Sequence, residues 1–178
     1  SLKKTIERPL ILDASALIMG FDPAGVENEQ YTVPLVEEEL KKGLASARLK
    51  TSIKTGKLRI KTPDRVFLEE IEKAAEKVGD TLFLSEADKQ VLALALEFKS
   101  AGKDPIIVTD DYSIQNLASS MDIEFKPLTT FGIKFRYVWT LFCPACGRRY
   151  PPKKKVRVCK VCGTGLILKH VKEKPVRS

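Results

Sequence analysis

Two pairs of cysteines near the C-terminal end of the sequence have the spacing of metal ligands. The pairs are Cys143-Pro-Ala-Cys146-Gly and Cys159-Lys-Val-Cys162-Gly, and residues 147–158 separate them. A C-x-x-C turn brings two thiolates to the same ion, and four thiolates close a tetrahedral site of the kind that holds structural zinc. Two disulfides or a redox-active pair are the alternatives, which the glycine after each pair and the lack of a secretory pattern disfavour. The spacing therefore predicts a zinc ribbon.

Carboxylates form a second group of residues that could do chemistry, because they recur after predicted strands and at predicted helix starts. They are Asp13, Glu37, Glu38, Glu39, Asp88, Asp110 and Asp111. Clustered carboxylates repel one another unless cations neutralise them, and oxygen ligands select Mg²⁺ or Mn²⁺. Each position also has a structural alternative: a capping box between Ser85 and Asp88, a helix dipole for the glutamates, or a turn after a strand. Their shared place at one edge of one sheet favours a divalent-metal site.

Short apolar runs alternate with helical patterns in the first three quarters of the chain, as expected for an α/β fold with a parallel sheet covered by helices on both faces. Strands are predicted at 10–12, 105–109 and near 123–125, and a further short strand at 58–60. Helices are predicted from Pro34 through Leu44, from Asp64 to Val78, from Ser85 to Gly102, and over 113–121. Residues 46–62 are predicted to be a mobile loop or a helical hairpin. Because strands of a parallel sheet end at the same edge, the acids that follow them are expected to meet there.

The C-terminal part of the chain is expected to be a separate module. We predict an α/β domain over 1–130, a connector at 131–137 and a small β zinc ribbon over 138–178, with strands at 135–142 and 166–170. Residues 136–178 carry twelve Lys and Arg against one acid, whereas residues 1–135 carry nineteen against twenty-two. This asymmetry, within a net charge of +8, favours a ribbon that binds nucleic acid over a merely solubilising tail.

Four motifs in a fixed order resemble those of PIN-domain nucleases. They are Leu-Asp13-Ala-Ser15, Thr32-Val-Pro-Leu-Val-Glu-Glu-Glu39-Leu, Leu84-Ser-Glu-Ala-Asp88 and Val108-Thr109-Asp110-Asp111-Tyr-Ser-Ile-Gln115-Asn116. With the four-cysteine ribbon behind them, they are similar more narrowly to the Nob endonucleases of ribosome biogenesis in their short archaeal form. The resemblance implies a PIN-like fold and a single-strand RNA endonuclease that matures the 3′ end of small-subunit (16S) pre-rRNA on the pre-ribosomal particle. It leaves room for an assembly-factor protein as a partner.

The resemblance also implies the metal-binding catalytic acids, position by position: Asp13, Glu39, Asp88 and one of Asp110 and Asp111. The family pattern Thr-x-Asp favours Asp111, and Glu39 is preferred to Glu38 because the family acid precedes an aliphatic residue. Ser15 and Thr109 match small hydroxyl positions beside the acids. One departure affects the register, since the family often has Thr-Pro where this chain has Thr32-Val33-Pro34.

Composition excludes some catalytic mechanisms. His170 is the one histidine of the chain, so a two-histidine ribonuclease mechanism is not available and a Ser-His-Asp triad is disfavoured. We expect hydrolysis by water with catalytic Mn²⁺ or Mg²⁺, giving 5′-phosphate and 3′-hydroxyl products. The apolar runs are too short to span a bilayer, so a cytoplasmic protein without a membrane partner is expected.

Basic residues in two segments are candidates for phosphate contacts with RNA. Those of the ribbon are Arg148, Arg149, Lys153, Lys154, Lys155 and Arg157, and those of segment 46–62 are Lys50, Lys54, Lys57, Arg59 and Lys61. A solvated face is an equal alternative for the second set. Tyr137, Trp139 and Phe142 either stack on bases or, as we favour, pack the ribbon.

Three functions from different classes therefore remain. They are an rRNA-processing endonuclease, a PIN-type nuclease that acts on other RNA, and a non-catalytic rRNA-binding assembly factor.

Overall fold

A five-stranded parallel sheet lies at the centre of the N-terminal part of the chain. The structure is a computed structural model that describes residues 8–41, 43–78, 83–133, 136–150 and 156–173. The strands are β1 (Leu10–Leu12), β2 (Gln30–Thr32), β3 (Leu58–Ile60), β4 (Ile106–Val108) and β5 (Glu124–Lys126), in the spatial order β3-β2-β1-β4-β5. The predicted α/β class with a parallel sheet is confirmed.

The order of the strands brings two acidic segments together. β1 and β4 are neighbours in the middle of the sheet, where Leu12 pairs with Val108. All residues of both strands are buried, as expected for strands covered on both faces. Since Asp13 follows β1 directly and Asp110 and Asp111 follow β4 within three residues, these acids leave the sheet at the same edge.

Six α-helices in the described part of the chain accompany the sheet. They are α1 (Ala14–Ile18), α2 (Pro34–Glu39), α3 (Leu44–Lys54), α4 (Arg65–Val78), α5 (Glu86–Ser100) and α6 (Tyr112–Ser120). α5 is the central one, because it contacts β1 and β4 as well as α2, α4 and α6. Its residues 91–95 are all buried, which explains why its apolar pattern is continuous rather than confined to one face.

The segment between β2 and β3 differs from the prediction. The helix that begins at Pro34 ends at Glu39 instead of continuing to Leu44, and Leu44 is 82% exposed at the start of α3. Gly43 separates the two helices with φ of +91°, a conformation that favours glycine. Of the alternatives predicted for 46–62, the mobile loop is wrong, because the segment forms most of the helix α3, and the short strand predicted at 58–60 is confirmed as the edge strand β3.

The chain divides into two compact units, residues 1–133 and 134–178. The second contains an antiparallel sheet of β6 (Arg136–Phe142), β7 (Arg149–Tyr150) and β8 (Ile167–Glu173), in the order β7-β6-β8. Its buried residues are Cys143, Cys159 and Leu166. The domain limits at 130 and 138 stay a prediction, and residues 134 and 135 of the proposed connector lie outside the described residues.

No helix within the described part of the chain combines the length and the apolar character needed to cross a membrane.

Candidate active site and cysteine cluster

Asp13 lies at the carboxyl end of β1 and is the most deeply buried of the predicted acids, with 2% of its surface exposed. Its carboxylate caps α1 by accepting a hydrogen bond from the Ala16 N–H at 2.7 Å. The Ser15 hydroxyl lies 2.9 and 2.8 Å from the two carboxylate oxygens. The Thr109 hydroxyl donates to Oδ2. Asp13 is therefore fixed in orientation by groups from two strand ends.

Asp111 reaches the same place from β4. It caps α6 by accepting from the Ile114 N–H at 3.1 Å. Its own backbone N–H donates to the Thr109 hydroxyl oxygen at 3.0 Å, and that same hydroxyl donates to Asp13. Thr109, which is fully buried, thus links the two acids through one oxygen atom.

Asp88 enters from the first turn of α5. Its backbone N–H donates to the Ser85 hydroxyl at 3.1 Å, and its Oδ2 accepts from the Ser85 N–H at 3.0 Å. The capping box that was the structural alternative for Asp88 is therefore present. It fixes the rotamer of the side chain, and the charges of Asp13 and Asp111 act on the same carboxyl.

The three aspartates perturb one another, as their pKa values indicate. Burial raises the pKa of Asp13 to about 7, with the charge of Asp111 adding to the rise and hydrogen bonds from Thr109, Ala16 and Ser15 opposing it. Burial also raises the pKa of Asp88 to about 7, with contributions from Asp111 and Asp13. The pKa of Asp111 is raised too, mainly by burial. Three desolvated carboxyls with raised pKa values form a site whose ionised state needs a cation.

The other two predicted acids lie outside this trio. Asp110 directs Oδ1 to the backbone N–H of Leu128 at 2.9 Å, so it ties the end of β4 to the turn that follows β5. Glu39 is exposed at the last residue of α2 and lines a cleft of about 330 Å³ together with Glu86 and Ala87 at the start of α5. Because Asp88 follows Ala87, Glu39 stands at the border of the acidic site.

The donor atoms of the aspartates suit a divalent cation. All available ligand atoms are carboxylate or hydroxyl oxygens, which suit Mg²⁺ or Mn²⁺ rather than zinc. Asp13, Asp88 and Asp111 approach from three different elements, the ends of β1 and β4 and the start of α5. A cation held among them would offset the burial that raises the pKa values of all three, and the mutual repulsion that adds to the rise for Asp13 and Asp88.

The four cysteines form a cluster with the dimensions of a metal site. Their sulfur atoms all lie within 4.8 Å of one another, with 3.4 Å between Cys143 and Cys162 and 3.6 Å between Cys146 and Cys159. Tetrahedral zinc with Zn–S bonds of about 2.3 Å would place the sulfurs about 3.8 Å apart. All four cysteines are free, so the cluster is able to hold a metal ion.

The two cysteine turns have the same backbone hydrogen bonds. In the first, the Cys143 N–H donates to the Arg148 carbonyl at 2.9 Å and the Gly147 N–H donates to the Cys143 carbonyl at 2.9 Å. In the second, Cys159 and Thr164 form the first of these bonds, and Gly163 and Cys159 form the second. Gly147 and Gly163 have φ of +77° and +72°. The glycine after each pair is therefore needed for the left-handed turn, as the sequence predicts.

Two residues beside the cysteines were not singled out from the sequence. The Tyr150 hydroxyl lies 3.2 Å from Cys159 Sγ and accepts from the Lys160 N–H at 3.1 Å. Its hydrogen bond is the main cause that lowers the pKa of Cys159 to about 5. The Thr164 hydroxyl lies 3.3 Å from Cys162 Sγ. Both stabilise the thiolate form that binds metal, and neither position has a spacing signal that reveals it.

The basic residues that the sequence predicts as RNA contacts differ in how far they are exposed to solvent. Arg148, Arg149 and Arg157 are exposed near the cysteines, whereas Lys153, Lys154 and Lys155 lie outside the described residues. The side chains of Tyr137 and Trp139 also lie outside them. The ring of Phe142 has the Lys169 ammonium 5.0 Å from its centroid.

In the first unit, Lys50 and Lys54 line a groove of about 440 Å³ between α2 and α3, floored by Leu40, Leu49 and Ile53. Lys57 donates to the Val26 carbonyl at 3.1 Å. Lys61 forms an ion pair with Glu97 at 3.2 Å. Lys50 and Lys54 are thus better placed for a ligand than Lys57 and Lys61.

Comparisons with known proteins agree with the fold and the acidic site. A family model described as the PIN domain of ribonuclease matches residues 10–98. Endoribonuclease Nob1 of Methanothermobacter thermautotrophicus is 37% identical over 160 residues, covering 89% of this chain and 91% of that protein. Endoribonuclease Nob1 of Methanocaldococcus jannaschii is 35% identical over 164 residues, covering 92% and 79%. Ribonuclease VapC1 of Thermoplasma acidophilum is 38% identical over 153 residues, covering 86% and 74%.

The matches to the Nob1 proteins extend over both units, since they cover more of the chain than the 133 residues of the first unit. They thus include a PIN domain with three converging aspartates and at least part of the unit that carries the four cysteines. The chain belongs to the Nob1 family of PIN-domain endoribonucleases.

Proposed function

We propose that this protein is a divalent-metal-dependent endonuclease that cuts single-stranded RNA and matures the 3′ end of 16S pre-rRNA. The observation that carries the proposal is that the Thr109 hydroxyl links buried Asp13 to Asp111 at the edge of the sheet, and that the charges of both act on Asp88. Membership of the Nob1 family supports the rRNA substrate.

The acids would hold Mn²⁺ or Mg²⁺, with Asp13, Asp88 and Asp111 as ligands and Glu39 at the mouth of the site. When bound, such an ion acts as a Lewis acid that stabilises the negative charge developing on the phosphate oxygens. Thr109 and Ser15 hold the Asp13 carboxylate in one orientation. We assign Asp110 a structural part, because its carboxylate binds the Leu128 N–H. Water as the nucleophile leaves 5′-phosphate and 3′-hydroxyl ends.

Zinc is the ion that we propose for Cys143, Cys146, Cys159 and Cys162. A closed set of four thiolates has no open position for a substrate, so its part is to hold the second unit together. The exposed arginines beside it (Arg148, Arg149 and Arg157) and the lysines at 153–155 would bind RNA phosphates. Lys50 and Lys54 offer a second contact beside α3.

The substrate also implies where and with what the protein works. Pre-rRNA would be presented on the pre-ribosomal particle in the cytoplasm, and an assembly-factor protein could expose or shield the cleavage site there.

The test is cleavage of an end-labelled RNA that spans the 3′ end of the small-subunit rRNA, with Mn²⁺ or Mg²⁺. Wild-type protein should make one metal-dependent cut at the mature end, and Asp13→Asn should make none while it binds the RNA with unchanged affinity. Asn keeps the size of Asp13 and an oxygen that can accept from the Ala16 N–H, so folding should persist. Equal cutting by both proteins would disprove the assigned site.

A nuclease that acts on other RNA is the second candidate, favoured by the similarity to a protein named Ribonuclease VapC1. Cutting of unrelated single-stranded RNA as fast as the rRNA sequence would support it. Tight binding of the rRNA by wild type without any cut, in the particle as well as in the free RNA, would support a non-catalytic assembly factor instead.

A further inference from the structure

Two aromatic side chains lie exposed beside the acidic site and have no part in the mechanism described so far. Phe83 is 40% exposed and Tyr112 is 47% exposed. Among the side chains that the structure describes, they are the two aromatic ones with more than a third of their surface in solvent; the other large exposed apolar residues are aliphatic.

Each aromatic residue is attached to one of the catalytic aspartates by the local backbone. Tyr112 follows Asp111 directly and is the first residue of α6. Phe83 precedes Ser85, the cap of α5, whose first turn holds Asp88. The Phe83 N–H donates to the hydroxyl of Ser113 at 3.2 Å, so the segment before α5 is held against the start of α6.

This contact joins the two segments that carry the rings, and the same two segments carry Asp88 and Asp111. Asp88 and Asp111 lie close enough for the charge of Asp111 to raise the pKa of Asp88, and Phe83 and Tyr112 extend from the two segments that deliver them. Ser113, the residue that joins these segments, is itself 5% exposed. The rings therefore stand on a fixed base rather than on freely moving chain.

Exposed aromatic rings have a recognised use in proteins that bind single-stranded nucleic acid. Unpaired nucleobases stack on aromatic side chains, and the gain hardly depends on which base it is, because every base has a π-face. A scissile phosphate in front of Asp13, Asp88 and Asp111 would carry its neighbouring bases towards the rim of the site. Stacking there would fix the strand without reading its sequence.

We propose that Phe83 and Tyr112 form a stacking platform for the nucleobases next to the scissile phosphate. The platform deepens the proposed function and rests on it, since it presumes single-stranded RNA as the substrate. It adds positioning residues that neither the motifs nor the acidic cluster reveal. It also predicts tolerance of base identity at the stacked positions together with a requirement for some base there.

The test compares Phe83→Leu and Tyr112→Leu with the ring-preserving variants Phe83→Tyr and Tyr112→Phe. Leucine keeps apolar bulk without an aromatic face, so a change in folding is small and can be followed by thermal unfolding. On intact RNA the Leu variants should have KM values about tenfold higher, with kcat nearly unchanged, and the ring-preserving variants should resemble wild type. On RNA with an abasic nucleotide at the stacked position, the Leu variants and wild type should become equal.

Binding without cleavage separates this proposal from the proposed function. RNA that carries 2-aminopurine at single positions near the cut should lose fluorescence when Asp13→Asn protein binds it. The double variants that combine Asp13→Asn with Phe83→Leu or Tyr112→Leu should bind the RNA without this loss of fluorescence. If the fluorescence is quenched but wild-type protein does not cut the RNA, the stacking platform is supported and the proposed nuclease function is wrong. If wild-type protein cuts the RNA and the Leu variants have unchanged KM values and unchanged quenching, the stacking platform is wrong and the nuclease function is supported.

Discussion

At the residue scale, the arrangement of the site depends on the Thr109 hydroxyl. This single group donates to Asp13 Oδ2 and accepts from the Asp111 N–H at 3.0 Å. It is fully buried, so water cannot take over either bond. Its position between two acids from neighbouring strands explains why a small hydroxyl residue, and not another apolar one, ends β4.

Replacing Thr109 with valine should therefore impair catalysis more than folding. The isosteric change removes a hydrogen bond that lowers the pKa of Asp13, so that pKa should rise and Mn²⁺ should bind less tightly at neutral pH. We expect kcat to fall roughly tenfold to a hundredfold and stability to fall by about 1–3 kcal/mol. Mn²⁺ titrations of the cleavage rate check this. Thr109→Ser keeps the hydroxyl and should recover most of the activity, whereas equal losses in both variants would point to packing instead.

The raised pKa values predict how stability depends on pH without Mn²⁺ or Mg²⁺. The pKa of Asp13 rises from 3.8 to about 7 on folding, so the folded state holds a proton that the unfolded state releases between these values. The stabilisation is complete below about pH 4 and is lost as the pH rises through 7, by roughly 4 kcal/mol.

Urea unfolding from pH 4 to pH 8, with zinc retained, measures this slope. Asp13→Asn has no such proton and should make the curve shallower, with a remaining slope from the raised pKa values of Asp88 and Asp111, and it should become more stable than wild type at pH 8. Added Mn²⁺, which binds the ionised carboxylates, should restore wild-type stability most strongly at high pH. A wild-type curve as flat as that of Asp13→Asn would contradict the burial of an uncompensated carboxyl.

At the element scale, the start of α5 shows that one residue, Asp88, can both cap a helix and belong to the acidic site. Asp88 completes a capping box with Ser85, and its pKa is raised by the charges of Asp111 and Asp13 as well as by burial. The cap orients the carboxylate by fixing its Oδ2 on the backbone. A helix start is thus used to direct a ligand oxygen into the site.

Separate variants of the box should distinguish its two parts. Ser85→Ala removes the hydroxyl cap and should lower stability by about 1 kcal/mol, with a small effect on cleavage because the Ser85 N–H still binds Asp88. Asp88→Asn should abolish cleavage while stability changes little, since the amide keeps an acceptor and removes a repelling charge. Thermal unfolding and single-turnover cleavage of both variants provide the measurement. If Asp88→Asn cleaves normally, Asp88 is only a cap.

Sequence patterns predict β1, β4, β5 and α4 to α6 well because their apolar residues are large and regularly spaced. They miss β2 and fail between β2 and β3 for identifiable reasons. The spacing of four from Val36 through Leu40 to Leu44 continues past Glu39, where the helix stops, and across Gly43. α3 then buries Ser46 and Ser52 beside Leu49, so its inner face has no hydrophobic period to detect.

The acidic site was predictable to a similar degree. The order of the motifs predicts Asp13, Asp88 and one of two adjacent aspartates as partners. The family pattern Thr-x-Asp already favours Asp111 over Asp110, but the role of Asp110 needs the structure, because its carboxylate accepts from a distant group, the Leu128 N–H. Contacts made over such sequence distances, like that of Phe83 with Ser113, have no local signal.

At the scale of the whole molecule, each of the two units is stabilised internally by a different kind of interaction. The first has a continuous apolar core around β1, β4 and α5, whereas the buried residues in the described part of the second are Cys143, Cys159 and Leu166. Two of these three are cysteines of the cluster, so we expect a bound metal to supply much of the stability of this unit. Chelation of zinc should therefore unfold the second unit and leave the helical circular dichroism of the first. Loss of the entire helical signal would show that the two units fold as one.

The two units also differ in net charge, and this difference predicts how the molecule binds RNA. Residues 136–178 carry a large positive excess and residues 1–135 a small negative one, so ion-dependent affinity should come mostly from the second unit. Each phosphate contact on a single strand adds about 0.7 to the slope of log affinity against log salt. Replacing Arg148, Arg149 and Arg157 with alanine in the full-length protein should lower that slope by up to about 2, and the matched change of Lys50, Lys54 and Lys57 should lower it less.

Filter binding with catalytically inactive Asp13→Asn protein, from low to high salt, measures both slopes on one RNA. These substitutions should leave cleavage at saturating RNA nearly unchanged, because the arginines lie in a different unit from the acids. An arginine variant with an undiminished slope would remove the ribbon surface from the RNA interface. A steeper loss from the lysines would place the main electrostatic contact on α3 and its groove, beside the carboxylates rather than beside the cysteines.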